Sequence, residues 1–277
     1  MSIFILINET KNYLKKNAES EWFQSYRIKE QTTDEYIYEL NGLQMLIRVN
    51  YPNIYGFFWL YEIQDALLLI DYVHNKLKLE AHEIIINPTI KIFYDIDMEL
   101  SKKDLDLAID WYSKYSSEDD LNIDDISRHL ANLYFDATLI SLSESGNDLE
   151  YLKSITDLMY TTRNRLLTDD KNNSKWKLSI HLITNIVCNI DECKAVVEDV
   201  KNNILRNSND LEYPKFISNS IINAIDVQPY HRLGSLAITG GRKIVNGIEY
   251  INKLQQKFQL FTEEQFISRI DSITIKI

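Results

Sequence analysis

Cysteine, proline and glycine are all scarce in this chain, at 2, 4 and 7 of 277 residues. Two cysteines, Cys188 and Cys193, cannot build a disulfide scaffold, nor fill a four-ligand zinc site alone. They read as a buried or incidental thiol pair. No internal repeat or low-complexity tail is visible. No run approaches the roughly 18 apolar residues of a membrane helix. The opening stretch, residues 1–7, is apolar but short and lacks a basic lead, so it does not read as a signal peptide. The compartment expected is therefore intracellular, with no membrane association. A positive balance is missing too: 30 Lys and Arg stand against 41 Asp and Glu, a formal charge of −11. Proteins that coat DNA are usually basic, because phosphate neutralisation drives their affinity. This chain is expected to hold nucleic acid weakly by itself, in a local basic groove.

What is present is enough apolar residue, 45% of the chain, to bury a substantial core in one large domain or two small ones. Ile, Asn, Lys and Tyr are abundant, a bias that suits an AT-rich genome.

Three blocks carry chemistry. The first is Ile92-Phe93-Tyr94-Asp95-Ile96-Asp97, the second Lys177-Leu178-Ser179-Ile180-His181-Leu182-Ile183, the third Ala224-Ile225-Asp226. Each sits in an apolar, β-branched context and reads as a strand. Alternate side chains of a strand share a face. Asp95 and Asp97 are thus expected to point together, with Tyr94, Ile96 and Met98 behind. Lys177, Ser179 and His181 are expected to do the same above Leu178, Ile180 and Leu182. Converging carboxylates with Lys, Ser and His nearby suit divalent metal ions and a triphosphate.

Around these blocks, Asn41-Gly42 predicts a hairpin between 36–40 and 43–49. The spacing of Leu60, Ile63, Leu67, Ile70 and His74 predicts a helix over about 57–79. A short strand at 83–88 ends on Pro88. Ser101-x-x-Asp104 resembles a capping box and opens a helix carrying Leu105, Ala108, Tyr112 and Tyr115. A second helix carries Ile126, Leu130, Leu133, Ala137 and Ile140. A third carries Leu149, Leu152, Ile155, Met159 and Leu166, and a last one spans about 191–206. The fold class is α+β, with a strand-built site, a helical insertion at about 101–168, an N-terminal α+β segment over 1–82 and the catalytic core over 83–277.

The order Asp-x-Asp, Ser-x-His, hydrophobic-Asp resembles the archaeo-eukaryotic primase superfamily, and Lys177-x-Ser179-x-His181 looks like its primase-polymerase form of the viral or mobile-element kind. The stretch His231-Arg232-Leu233-Gly234-Ser235-Leu236 with Thr239-Gly240-Gly241 is similar to the segment after the third aspartate in primase small subunits. The resemblance spans roughly half the chain. Where many members carry Arg or His in that last segment, this chain has Ala237.

The resemblance implies an RRM-like sheet with helices behind it, and DNA primase or primase-polymerase activity: DNA-directed nucleotidyl transfer making or extending primers on single-stranded DNA during replication. Asp95, Asp97 and Asp226 would hold two Mg²⁺ or Mn²⁺ ions. Lys177, Ser179 and His181 would bind the nucleoside triphosphate, with Arg232, Arg242 or Lys243 reaching a phosphate. A replicative helicase or another replisome protein is the expected partner.

Taken singly, each motif has a plainer reading. An Asp-x-Asp at a strand end is often a turn or cap, a strand Ser-x-His is often a half-buried hydrogen-bonding pair, and Asp226 before Gln228-Pro229 can start a turn. Gly240-Gly241 is either a phosphate cradle or a hairpin turn. Trp176 either stacks on a base or packs in the core. Phe93-Tyr94-Asp95-Ile96-Asp97 also resembles the nucleophile strand of a haloacid dehalogenase-type phosphohydrolase, with Asp95 as nucleophile and Asp97 as acid/base. A catalytically inactive primase-fold replisome subunit is the non-enzymatic alternative.

Overall fold

The computed structural model describes residues 3–28, 45–86, 89–113, 122–168, 174–210, 223–225, 229–230, 234–238, 240–245, 248–256 and 275–276. The Asn41-Gly42 hairpin, Asp226, His231, Arg232 and Thr239 lie outside these residues. The chain divides into two compact units: Met1–Pro88 with His231–Asn252 and Gln265–Arg269, and Thr89–Tyr230 with Lys253–Glu264 and Ile270–Ile277. The class is α+β, with six α-helices among the described residues.

In the first unit, α1 (Ile3–Asn17) leads into β1 (Trp22–Ile28), β2 (Met45–Tyr51) and β3 (Ile54–Leu60). Helix α2 (Ile63–Asp71) continues as one π-helical turn, Tyr72–Lys76, into β4 (Ala81–Ile84). The strand β9 (Ser235–Ala237) completes an antiparallel sheet of order β1-β3-β2-β4-β9. The helix expected from about residue 57 starts later, at Ile63. Ile54-Tyr55-Gly56-Phe57-Phe58-Trp59 is rich in aromatic side chains that favour a pleated surface, and it pairs on both sides as β3. Ile47, Val49, Tyr51, Phe58, Leu60, Leu69 and Val73 form this unit's core. Asp65, fully buried on α2, accepts the backbone N–H groups of Glu19 (2.9 Å) and Ser20 (3.0 Å) and the Ser20 hydroxyl. A buried carboxylate is tolerable only with such partners. The hairpin β10 (Arg242–Val245) and β11 (Ile248–Ile251) also belongs to this unit.

In the second unit, β5 (Thr89–Ser101) is followed by α3 (Lys102–Ser113), α4 (Ile123–Glu144) and α5 (Leu149–Ile155). Then come β6 (Leu158–Thr162), β7 (Arg165–Thr168), the long β8 (Ser174–Asn189), α6 (Ile190–Asp210), β12 (Lys253–Gln256) and β13 (Ile275–Lys276). Half of the capping box expected at Ser101 forms, the Asp104 N–H donating to Ser101 Oγ at 3.1 Å, while the Ser101 hydroxyl rather than its backbone N–H donates to the Asp104 carboxylate. Asn122 and Asp125 build a second one at the start of α4. The helical insertion is shorter than the expected 101–168, because 158–162 and 165–168 are strands. Leu158-Met159-Tyr160-Thr161-Thr162 is aromatic and β-branched and buried along its length against β8. A short apolar run fits a helix period by chance, and here strand pairing wins.

β8 is central. β5 pairs with it on one side, and β6, β7 and the parallel β13 also pair with it, with β12 beside β6. Beyond β5, Ile225 forms an antiparallel bridge with Ile96. The unit thus orders as 225, β5, β8, β6, β12. One face of this sheet is covered by α3, α4 and α6. Tyr94 marks that side: its hydroxyl bonds Thr138 of α4 at 2.6 Å, and its ring lies 5.6 Å from Tyr134. No helix among the described residues is long and apolar enough to cross a membrane.

Candidate functional site

Strand alternation produces the site. Along β5, Tyr94, Ile96, Met98 and Leu100 are buried toward the helices, while Asp95, Asp97 and Glu99 project to the opposite face. β8 does the same with Leu178, Ile180 and Leu182 against Lys177, Ser179 and His181. The antiparallel register sets Asp95 opposite His181, Asp97 opposite Ser179, and Glu99 opposite Lys177. Directly paired residues project to the same face, with Cβ atoms about 5 Å apart. Five of the expected site residues therefore meet on one surface.

Their side chains engage one another. Lys177 Nζ lies 2.7 Å from Asp97 Oδ2, and His181 Nε2 lies 3.4 Å from Asp95 Oδ1. Burial disfavours the charged Asp97 carboxylate, but hydrogen bonds from Lys177 and Ser179 and the positive charge beside it outweigh this. The Asp97 carboxyl is held below its usual range. His181 is almost fully buried, whereas the Asp97 side chain is 42% exposed. The acidic column is thus open to a ligand, and the histidine is the fixed wall beside it.

Asp226 lies outside the described residues, but its chain neighbours are tied to β5. Ile225 bridges Ile96, the residue between the two aspartates. Tyr230 stacks on Phe93 at 4.6 Å and donates its hydroxyl to the Phe93 carbonyl at 2.6 Å. Arg242 and Lys243 are on β10 of the first unit. There Arg242 pairs with Glu249 at 2.7 Å and donates Nε–H to the His74 carbonyl. The Gly240 N–H donates to Asn252 O and the Gly241 N–H to Ile238 O. These amides close a turn, with Gly240 at a φ of 83°, and are not aimed at a phosphate. Trp176 pairs with Leu100 and Leu166, on the face opposite the site, so the base-stacking reading fails.

Three residues escape the sequence reading, because the spacing of Leu149, Leu152, Ile155, Met159 and Leu166 predicts a helix there. Thr161 lies opposite His181, and Arg165 lies opposite Lys177. Arg163 extends the same line, its N–H donating to Ser179 O at 2.8 Å. The run Tyr160-Thr161-Thr162-Arg163-Asn164-Arg165, β-branched and then alternating a cation with a polar residue, was the available signal.

Two carboxylates at i and i+2 on a strand match the donor set that Mg²⁺ or Mn²⁺ prefers, one or two carboxylates completed by substrate phosphates. Among the described residues no group of three His, Cys, Asp or Glu side chains is gathered as a metal site. The expected third ligand, Asp226, is not among them. No protein-family model matches this chain, and no curated protein matches it.

Proposed function

We propose that this chain is a metal-dependent, template-directed nucleotidyl transferase of the archaeo-eukaryotic primase type, making or extending primers on single-stranded DNA. One observation carries the reading: Asp95 and Asp97 share a strand face with Lys177, Ser179 and His181, while Ile225, just before Asp226, is bridged between the two aspartates. The order 225, β5, β8, β6 with helices on the far face agrees with an RRM-like core.

Two divalent ions, when bound, supply charge stabilisation for the attacking 3′-hydroxyl and the departing pyrophosphate. Asp95, Asp97 and Asp226 are their ligands. Lys177 and His181, which lie 2.7 Å from Asp97 and 3.4 Å from Asp95, turn to the triphosphate as it arrives. Ser179 donates its hydroxyl to a phosphate oxygen. Together these groups orient the α-phosphate for in-line attack, which is where most of the rate gain in phosphoryl transfer arises. A partner that holds the template, a replicative helicase or other replisome protein, offsets the weak DNA affinity expected of an acidic chain.

The same contacts favour a second reading, a primase-fold subunit that binds no metal because its carboxylates are already engaged by Lys177 and His181. Electron paramagnetic resonance of Mn²⁺ separates them. The enzyme reading predicts Mn²⁺ binding that tightens with a nucleoside triphosphate and is lost in Asp95→Ala; indifference to Mn²⁺ and nucleotide together supports the inactive subunit. Release of phosphate from generic esters without polymerisation would move the assignment to the phosphohydrolase.

A further inference from the structure

The strand beside β8 breaks where it passes Ser179. Thr162, the last residue of β6, lies opposite Ile180, and Arg165, the first of β7, lies opposite Lys177. Residues 163 and 164 stand between them, across from 179 and 178, and belong to neither strand. In an unbroken antiparallel ladder a residue exchanges both of its hydrogen bonds with the one residue across from it. Ser179 instead divides them between two. The Arg163 N–H donates to Ser179 O at 2.8 Å, and the Ser179 N–H donates to Asn164 Oδ1 at 3.3 Å. A side chain thus completes the main-chain bonding at the residue that pairs with Asp97.

The other end of that amide is held by α4. Asn164 Nδ2 donates to Asp124 Oδ1 at 2.8 Å and to Ser127 Oγ at 2.9 Å. Ser127 is fully buried and its hydroxyl proton goes to Ile123 O at 3.0 Å, so toward Asn164 it can only accept. This fixes the orientation of the amide, nitrogen to the helix and oxygen to β8. The Asp124 carboxylate makes its bond charge-assisted, and so stronger than a neutral one. The helix end is itself fastened, because Asn122 Oδ1 accepts the Asp124 N–H at 2.8 Å and Asp125 accepts the Asn122 N–H at 2.9 Å. Both amide protons and the oxygen of Asn164 are therefore engaged, in one tie from the first turn of α4 to the Ser179 main chain. On the site face the Ser179 hydroxyl bonds Asp97, with Lys177 and His181 two residues away on either side. Groups that act on a substrate must be held within about 0.5 Å of their working geometry by supporting bonds of this kind.

We propose that Asn164 is a positioning residue of the nucleotide site: its amide, tied to α4, fixes the main chain at Ser179 and with it the hydroxyl and the flanking Lys177 and His181 that receive the triphosphate. This rests on the nucleotidyl-transfer reading. Asn164 touches neither metal nor nucleotide, since its side chain is turned to α4.

The test measures binding of ATP and, separately, dATP with Mn²⁺ to the full chain, to N164D and to the double variant D124N/N164D, each checked by thermal unfolding. N164D sets a second carboxylate against Asp124 and removes both amide donors. In the double variant the amide and the carboxylate change places, so the contact between positions 124 and 164 forms again. N164D is expected to lose about fivefold or more in nucleotide affinity, the worth of one buried hydrogen bond, and the double variant to recover most of it. Hydrogen exchange at the Ser179 amide should quicken in N164D and slow again in the double variant. Where primers are made, KM should rise by the same factor with kcat close to wild type, as for a group that serves ground state and transition state alike. A tie that is only structural lowers the unfolding temperature and leaves the affinity of the folded protein unchanged; that result overturns the proposal, as does a double variant that recovers nothing. If N164D does not fold, N164Q decides: it keeps the amide on a longer arm, and wild-type affinity in it overturns the proposal. A wild type that binds neither nucleotide sinks the nucleotidyl-transfer reading and the proposal with it, whereas equal binding by wild type and the folded variants sinks the proposal alone.

Discussion

At the scale of single residues, the account turns on pairs whose partners change. Asp97 is matched by Lys177 in the structure, and the proposed chemistry needs that lysine to leave for a phosphate. Carboxyl NMR titration should find Asp97 below the usual carboxylate value of about 3.9, and moved upward in Lys177→Met. A carboxyl that titrates normally in wild type would contradict the pairing. The sign for stability follows. A depressed folded-state pKa gives stabilisation that is complete above the unfolded value and is lost as pH falls through the folded one. Lys177→Met should therefore lower the unfolding temperature at neutral pH and leave it nearly unchanged in strong acid. Asp65 is the structural counterpart. Burial works against its charge, but the Ser20 hydroxyl and the amides of Glu19 and Ser20 hold its pKa below normal. Asp65→Ala should cost about 3 kcal/mol in denaturant unfolding, because buried amides lose a charged acceptor. A cost under about 1 kcal/mol would show those bonds to be replaceable by water.

At the scale of elements, legibility followed the clarity of alternation. β5 and β8 could be read from sequence because polar and apolar residues alternate without a break from Tyr94 to Leu100 and from Lys177 to Leu182. Their mutual register could not, since pairing is a long-range event that no local pattern encodes. β6 and β7 were hidden by an apolar spacing that also fits a helix, and with them went Arg163 and Arg165. β3 was missed because Leu60 continues smoothly into the period of α2. The segment around Asp226 gives an element-level prediction. Tyr230→Phe removes the bond to the Phe93 carbonyl and should cost about 1 kcal/mol. Because that bond anchors the chain near β5, incorporation should fall more than stability does; a stable variant with wild-type activity would show that the anchor does not position the site. In the first unit, an added Cβ at Gly56 would lie 2.6 Å from the Tyr51 ring, among the Tyr26 and Phe58 rings. Gly56→Ala should destabilise by roughly 1–3 kcal/mol in thermal or denaturant unfolding, as overpacked sites do.

At the scale of the whole molecule, a formal charge of −11 sets the terms of any nucleic-acid binding. Single-stranded DNA should bind weakly, and its affinity should fall only modestly with salt, because a few local cations make the phosphate contacts against a repulsive background that salt also screens. Affinity that is tight and insensitive to salt would contradict this. The α+β class follows from composition and from two legible strands, whereas the return of residues 231–252 to the first unit had no signature in the chain. The central claim is that the polar face of β5 and β8 performs template-directed nucleotidyl transfer. The most direct test is incorporation of labelled nucleotides on single-stranded DNA with Mg²⁺ or Mn²⁺, comparing wild type with Asp95→Ala. The account predicts products that require both template and metal and vanish in the variant while its unfolding temperature stays close to wild type. Equal product from the two proteins, or none from a folded wild type supplied with template and metal, would contradict it.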